Sequence, residues 1–363
     1  MLKKVLVLCS GYPSKSNPYN CTWAHTRNRY YVQHGVSVDV LVNEVVQPYS
    51  IDGVDVVLRG CAESRLDNGE YDCVLSHSPN IRWHIPFLSK VRSVPIVLFM
   101  HGSESMSINH DYPAPYPFQR SSLLNYAIRE IYDSLKFRLL KRFILSRKSS
   151  IHLVFVSKWM RDMFSKNVFK VDCEGVSNSI INNSLNESFL NETYRPSGDF
   201  LADFVTLRPL DNSKYAIDLV VEMAVGNPDK SFHVYGRGRY FSINALPLNL
   251  KVFDKHVESS KIPELLNSYR YALMPTRCDA QGVMVCEMAA YGIPVITSDI
   301  AISHEMFDGI SNVKLLPLTE FGRPFESVGF DFHSGGLAAK KRFDVSNNMK
   351  KELELFIDCI RRR

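Results

Sequence analysis

Two carboxylates eight residues apart, Asp279 and Glu287, stand in the stretch YALMPTRCDAQGVMVCEMAAYGIPVITSD over 271–299. An ionised carboxylate accepts two hydroxyl hydrogen bonds, which is the chemistry that grips the diol of a ribose or a hexose. The apolar run to Met274 reads as a buried strand, and Pro275 to Gln281 as a turn. Gly282 lets the backbone come close to a ligand where a helix begins. Gly292 ends that helix, and Pro294 keeps it from continuing. Asp279 is therefore expected on the loop above the strand, and Glu287 about a turn and a half into the helix.

A pair of cations comes earlier. FVTLRPLDNSKYAIDLVVEMA puts Arg208 at the end of a strand and Lys214 six residues on. Read alone, an Arg and a Lys near a helix start are surface residues more often than not. FHVYGRG ends another strand in Gly236-x-Gly238, bare backbone against which a nucleobase or phosphate can lie. In the first half, PIVLFMHGSES carries His101 and Glu104 just past a strand, and the first strand-to-helix loop, CSGYPSKSNPYNCTW, holds Gly11 and Pro13.

Positioning these residues is the work of an α/β chain. Strand-like runs alternate with helix-length amphipathic stretches nearly throughout, which argues for parallel sheets covered by helices. Strands are expected at 4–9, 36–42, 54–58, 72–76, 95–100 and 152–156, and again at 204–207, 232–235, 248–253, 272–274 and 294–297. Residues 175–197, rich in Asn and Ser, read as an interdomain connection, and 318–344 as irregular. The expected division is a first domain over 1–180, a second over 181–344, and a terminal helix, 345–363, that packs back on the first. Two successive doubly wound domains place the carboxyl ends of two sets of strands across a cleft, where a nucleotide or other phosphorylated ligand is the default occupant.

Bulk composition agrees. The 363 residues exceed one ordinary core, and 45% apolar with 22% charged residues suits a folded globular chain. No run reaches the roughly 18 apolar residues of a membrane span. The start, MLKKVLVLCSGYP, reads as a first buried strand and not as a leader. Eight cysteines without Cys-x-x-Cys or metal-type spacing are expected as reduced thiols in a cytoplasmic protein. The four Asn-x-Ser/Thr matches, at Asn20, Asn182, Asn186 and Asn191, are then incidental. No Asp-x-Asp occurs, so a metal bridging a diphosphate has no obvious ligand pair and none is expected.

Taken together, the spacing of Asp279 and Glu287, the internal Gly282 and the trailing Ala-x-x-Gly-x-Pro-Val-Ile resemble the signature of glycosyltransferase family 4. The resemblance spans about residues 1–310 in the family's order. It implies a GT-B fold, two Rossmann-like domains facing across a cleft. It also implies a retaining transferase that moves a hexosyl group from a nucleoside diphosphate sugar, with a UDP-sugar as the expected donor. Glu287 would then bind the nucleotide ribose and Asp279 the donor sugar hydroxyls, with Arg208 and Lys214 on the diphosphate. Gly11, Gly236, Gly238, Gln281, Gly282 and Val283 would line the donor side, with His101 facing donor sugar and acceptor and Glu104 on the acceptor side. Asn178, in VSNSII, resembles the family's hinge-proximal Asn. The family has Glu, Gly and Phe where this chain has Asp279, Ala280 and Gln281, and often a Gly pair where it has Cys21 and Thr22. The acceptor implied is a glycan or lipid-linked glycan of a surface polysaccharide such as O-antigen or capsule. Two other readings compete, a catalytically weak glycan- or nucleotide-sugar-binding subunit and a GT-B nucleotide-sugar epimerase.

One further stretch draws notice. Residues 121–150 carry Leu124, Ile128, Ile131, Leu135 and Leu139 at the spacing of one helix face. They also carry Arg129, Lys136, Arg138, Lys141, Arg142, Arg147 and Lys148 against Glu130 and Asp133. A cationic amphipathic helix suits an anionic leaflet, so peripheral association with the inner face of the plasma membrane is expected. The alternative is a core-facing helix with a solvated far side. No helix-turn-helix or aromatic-basic ribonucleoprotein pattern accompanies the charge, so nucleic acid is not an expected partner.

Overall fold

A computed structural model of the chain describes residues 2–15, 17, 20–43, 47–328 and 336–362. Part of the irregular stretch 318–344 and part of the loop 10–20 thus lie outside the described residues. The chain forms two compact units. The first comprises residues 1–108, 126–184 and 345–363; the second comprises 109–125 and 185–344.

The first unit holds eight strands: β1 (Lys4–Cys9), β2 (Ser37–Val42), β3 (Tyr49–Ile51), β4 (Val54–Val57), β5 (Cys73–His77), β6 (Ile96–Met100), β7 (Ile151–Phe155) and β8 (Ser177–Ile180). Their order is β3-β4-β2-β1-β5-β6-β7-β8. Every neighbouring pair is parallel except the short edge hairpin β3/β4. Central strands of a parallel sheet are covered on both faces and so read as unbroken apolar runs; Val5, Leu6, Val7 and Leu8 of β1 are all fully buried. The chain moves outward from β1 through β2 and β4 on one side and from β5 through β6 to β8 on the other. The strand order therefore reverses between β1 and β5, and the crevice beyond their carboxyl ends is where such sheets bind ligands.

The last helix, Val345–Arg361, belongs to this unit. Met349 and Phe356 enter the core beside Val7, Val97 and Phe99. Between them Glu352 is fully buried and pairs with the equally buried Arg27, Oε1 accepting from Nε at 3.0 Å. Arg27 also donates to Asn183 Oδ1 at 2.9 Å, and Tyr31 donates its hydroxyl to the other Glu352 oxygen.

The second unit is a six-stranded, all-parallel sheet of β9 (Ala202–Leu207), β10 (Phe232–Tyr235), β11 (Leu250–Phe253), β12 (Tyr269–Leu273), β13 (Val295–Ser298) and β14 (Val313–Leu316). The order β11-β10-β9-β12-β13-β14 reverses between β9 and β12. Arg208 follows β9, and the 275–282 loop follows β12, so both candidate segments emerge at this switch point.

Three strands escape the sequence pattern. β3, β8 and β14 are edge or near-edge strands, and β8, Ser-Asn-Ser-Ile, has no fully buried residue. The stretch 175–197 is accordingly not all connection: it contributes β8 to one sheet and the short helix Glu187–Asn191 to the other unit. The division falls at 184/185 instead of 180/181, and residues 109–125 join the second unit, with Tyr116 donating to Asp218 at 2.9 Å.

The long helix Leu123–Leu145 overturns the core-facing alternative for its apolar face. Leu124, Ile128, Ile131, Leu135 and Leu139 are all exposed, Ile131 to 70%. What it buries are Asp133, Lys136, Leu140, Phe143 and Ile144. Lys136 is therefore no part of an outward cationic stripe. It is paired with Asp133 at 2.7 Å and donates to the carbonyls of Ser103 and Met106 at 2.8 Å.

Candidate functional site

In the second unit, Arg208 is 6% exposed, with Nη2 3.3 Å from the Met274 carbonyl and Nε without a partner among the described residues. Lys214 lies in the short turn Ser213–Tyr215, whose start is capped by the Asn212 side chain accepting from Lys214 N at 3.1 Å. The Lys214 carbonyl in turn accepts from Arg277 N at 2.8 Å and from the Thr276 hydroxyl at 3.0 Å. Those two bonds tie the loop after β9 to the loop after β12. They bring Lys214 and Arg208 within electrostatic reach of Asp279. The Tyr215 ring lies 5.1 Å from the guanidinium and 4.6 Å from the ammonium, a shared wall between two like charges.

The charges respond to these surroundings. Burial pushes the Arg208 guanidinium below its ordinary pKa, with Asp279 and Tyr215 opposing. For Lys214 burial also pulls downward, but Tyr215 and Asp279 outweigh it and hold the ammonium above its ordinary value. Both side chains stay cationic near neutral pH.

Asp279 accepts from the N–H of Ala280 at 2.8 Å, which orients the carboxylate at the turn. Gly282 caps the helix Val283–Tyr291 with φ +73°, in the left-handed region that a glycine adopts without strain. Gln281 is buried, and Val283 opens the helix half-buried. One turn further, Glu287 is 7% exposed and accepts from Asn186 N at 2.9 Å. Burial raises its carboxyl to about 7, the Asn186 bond opposing.

The need for glycine at 236 and 238 has a local cause. A Cβ on Gly236 would lie 1.8 Å from the Arg208 carbonyl oxygen, and one on Gly238 would lie 2.8 Å from Asp211 Oδ1, where φ is +149°. The bare backbone thus lets the loop after β10 pack on the residue that carries the cation. Gly236→Ala is expected to lower stability by about 1–3 kcal/mol through this clash, measured by thermal melting.

The first unit holds Gly11, His101 and Glu104, and the last two share one turn. Gly11 leaves room for the Asn20 side chain, 2.2 Å from where a Cβ would sit. His101 follows β6, its ring tilted against that of Trp23 at 4.2 Å between ring centroids. Its Nε2 lies 3.1 Å from Nδ1 of His77, the last residue of β5. Burial and the neighbouring Arg27 hold the His101 imidazole well below its ordinary pKa. Glu104 accepts from the backbone N–H groups of His101 and Gly102, the latter at 2.9 Å. It thereby closes the turn that carries His101. Burial raises its carboxyl despite those bonds. Its second oxygen has no partner among the described residues, and the side chain borders a cavity of about 570 Å³ walled by Trp83, Tyr132, Asn80 and Arg82.

Asn178 bonds the Val176 carbonyl at 3.2 Å within the first unit. Sequence reasoning missed Tyr215, His77 and the two-pronged Asp218–Arg277 pair, at 2.8 and 2.6 Å, that steadies the loop beside Lys214. An aromatic next to a proposed phosphate-binding Lys was a signal for the first. A histidine closing an apolar strand beside the strand of His101 was a signal for the second. No group of three or more His, Cys, Asp or Glu side chains suited to a metal ion occurs among the described residues. No helix among them is long and apolar enough to cross a membrane.

No family model matches the chain, and a search of curated proteins finds no match. Solved structures do resemble it over nearly its whole length. A sucrose-phosphate synthase from Thermosynechococcus elongatus has a TM-score of 0.71 at 10% identity, covering 98% of each chain. Anabaena HepE, solved in complex with UDP and glucose, has a TM-score of 0.65 at 14% identity and covers 98% of this chain and 99% of its own. WaaG, a glycosyltransferase involved in lipopolysaccharide biosynthesis, has a TM-score of 0.64 at 12% identity and covers 97% of this chain and 99% of its own. With two sheets of parallel-dominated strands and nearly the whole chain covered, the fold is that of the GT-B glycosyltransferases.

Proposed function

We propose that the protein is a retaining glycosyltransferase that moves a hexosyl group from a UDP-sugar to a hydroxyl of a glycan or lipid-linked acceptor in surface-polysaccharide synthesis. The observation that carries the reading is the convergence of Arg208, Lys214 and Asp279 at the switch point of the second sheet, held there by bonds between the loops after β9 and β12. Two cations with a low-dielectric backing and a carboxylate beside them suit a sugar diphosphate. The cations take the phosphates, and Asp279 accepts from sugar hydroxyls. The start of the helix Val283–Tyr291 adds N–H groups suited to an anion. Glu287 would accept from the ribose diol. The UDP and glucose in the HepE structure favour a UDP-sugar among possible donors.

The chemistry follows from charge. As the glycosidic bond to the diphosphate breaks, negative charge gathers on the leaving oxygen, and Arg208 and Lys214 stabilise it in place of a metal. The departing diphosphate then helps to deprotonate the acceptor on the same face, which gives retention. The test is UDP release from a panel of UDP-sugars in EDTA, with and without membrane lipid extract. Acceptor-dependent release is expected. Donor binding without turnover across the panel would sink the transferase reading in favour of a binding subunit, and sugar conversion without acceptor would favour an epimerase.

The same proposal includes the membrane surface. The exposed apolar row from Leu124 to Leu139 is flanked by exposed Arg138, Lys141 and Arg142, a pattern suited to an anionic leaflet. Ile131→Glu is expected to weaken co-sedimentation with phosphatidylglycerol vesicles about tenfold. Melting should stay within about 0.5 kcal/mol, because the residue is exposed. Equal binding of variant and parent would dismiss the membrane role.

A further inference from the structure

We infer that His77 locks His101 into the tautomer that carries its proton on Nδ1, so that His101 meets the substrate as a hydrogen-bond donor and not as a base. The substrate rests on the transferase reading; the tautomer rests on the two rings alone.

The rings share one hydrogen bond, His77 Nδ1 to His101 Nε2 at 3.1 Å. Two neutral imidazoles joined this way have two arrangements, since each carries one N–H and one bare nitrogen. Neutrality is secured by burial and by the Arg27 guanidinium nearby, and for His77 by His101 and His84 as well. In the first arrangement His101 donates from Nε2. His77 must then carry its own proton on Nε2, an atom that is buried and without a partner among the described residues. That leaves an orphaned N–H, a defect folded proteins rarely tolerate. In the second arrangement His77 donates from Nδ1, the orphan is a bare lone pair, and the proton of His101 sits on Nδ1. The second costs less.

Packing holds the pair in register. His77 is 1% exposed and lies against Phe99 at 4.3 Å, and Trp23 covers His101 at 4.2 Å. The backbone behind His101 is closed by Glu104. Among the described residues no group bonds His101 Nδ1, so its N–H is what the ring offers. The only bare nitrogen of His101 is taken by His77, so the ring has no site for a proton from an acceptor hydroxyl. It can donate to a lone pair on a sugar hydroxyl or on the oxygen that departs.

The test is a two-bond proton–nitrogen correlation spectrum of protein labelled with nitrogen-15 histidine, with His101 assigned from the signals lost in His101→Gln. In the parent protein Nδ1 of His101 is expected at the shift of a protonated nitrogen and Nε2 at that of a bare one. His77→Phe, which removes the donor, should move the proton to Nε2. His77→Asn, whose amide can donate from the same position, should keep it on Nδ1. A parent spectrum with the proton on Nε2 overturns the inference, and so does an unchanged tautomer in His77→Phe. Should the Phe variant fail to fold, the parent and Asn spectra decide. In turnover, His77→Phe is expected to lower kcat about tenfold with KM for the donor unchanged, and His77→Asn to restore most of it. A parent without any turnover would defeat the transferase reading and leave the tautomer to the spectra.

Discussion

Arg208→Met and Lys214→Met are each expected to lower kcat about 10²–10³-fold while changing KM for the donor little. The expectation comes from where the two charges sit. Arg208 is held out of water with one nitrogen at long range from a carbonyl and another unsatisfied. A guanidinium kept in that condition costs folding free energy, and replacing it by an apolar side chain of similar length is neutral or stabilising. Activity and stability should therefore part company: the Met variant melts no lower than its parent while turnover collapses. Arg208→Lys is not conservative here, because a point charge cannot reproduce the guanidinium plane against the Tyr215 ring. Because both cations act on one developing charge, the double variant should lose less than the product of the single losses. Retention of kcat within about twofold in both single variants would show that the pair does not stabilise the reaction.

Glu287→Gln should separate stability from binding in a second way. The Glu287 carboxyl is raised from an ordinary 4.5 to about 7, chiefly by burial. A raised carboxyl keeps its proton in the folded chain after the unfolded chain has released it. Stability is thus unaffected below the unfolded pKa, falls as pH rises between 4.5 and about 7, and levels off above. The full loss is roughly 3 kcal/mol, taking about 1.4 kcal/mol per unit. Glutamine cannot ionise, so the variant should match its parent near pH 4 and exceed it by up to roughly 3 kcal/mol at pH 8. Melting midpoints across that range check the sign; a difference independent of pH would mean that Glu287 is not ionising in a buried site. Function should move the other way. A ribose diol donating two hydroxyls favours the carboxylate, so donor affinity should rise with pH and binding should release a proton near neutrality. The amide offers one acceptor oxygen where the carboxylate offers two, and donor affinity should fall about 10–100-fold. Calorimetry in two buffers of different ionisation enthalpy measures both effects.

Much of this was legible in the residues, for reasons that differ from place to place. Strands at the centre of a parallel sheet read clearly because both faces are buried, and β1 and β10 match their expected limits at both ends. The helix Val283–Tyr291 is equally clear, since glycine stands at both of its caps. Edge strands such as β8 are half wet and carry Ser and Asn, so their composition is that of a loop. The helix Leu123–Leu145 shows the limit of periodicity, which finds an apolar face but not the side it turns to. Its core side instead carries an ion pair, Asp133 with Lys136, that holds the 101–108 loop. Gly236 was expected to offer bare backbone to a ligand, and the fold gives glycine there a reason of its own, the close approach of the Arg208 carbonyl. His77 went unread because its strand was expected to end at residue 76, one short of it; the parallel register sets His77 opposite Phe99, two residues before His101.

The pairing of Arg27 with Glu352 gives the first unit an unusual order of assembly. Its sheet is complete by β8, yet among the described residues the carboxylate that pairs with the Arg27 guanidinium comes from the helix Val345–Arg361, 325 residues later in the chain. During synthesis from the N-terminus, everything in the second unit must emerge first. Until that helix is made, the apolar flank it covers with Met349 and Phe356 lies open, and Arg27 is left to water instead of to a carboxylate. A product that stops before Glu352 therefore lacks the acid that pairs with Arg27 in the core of the first unit.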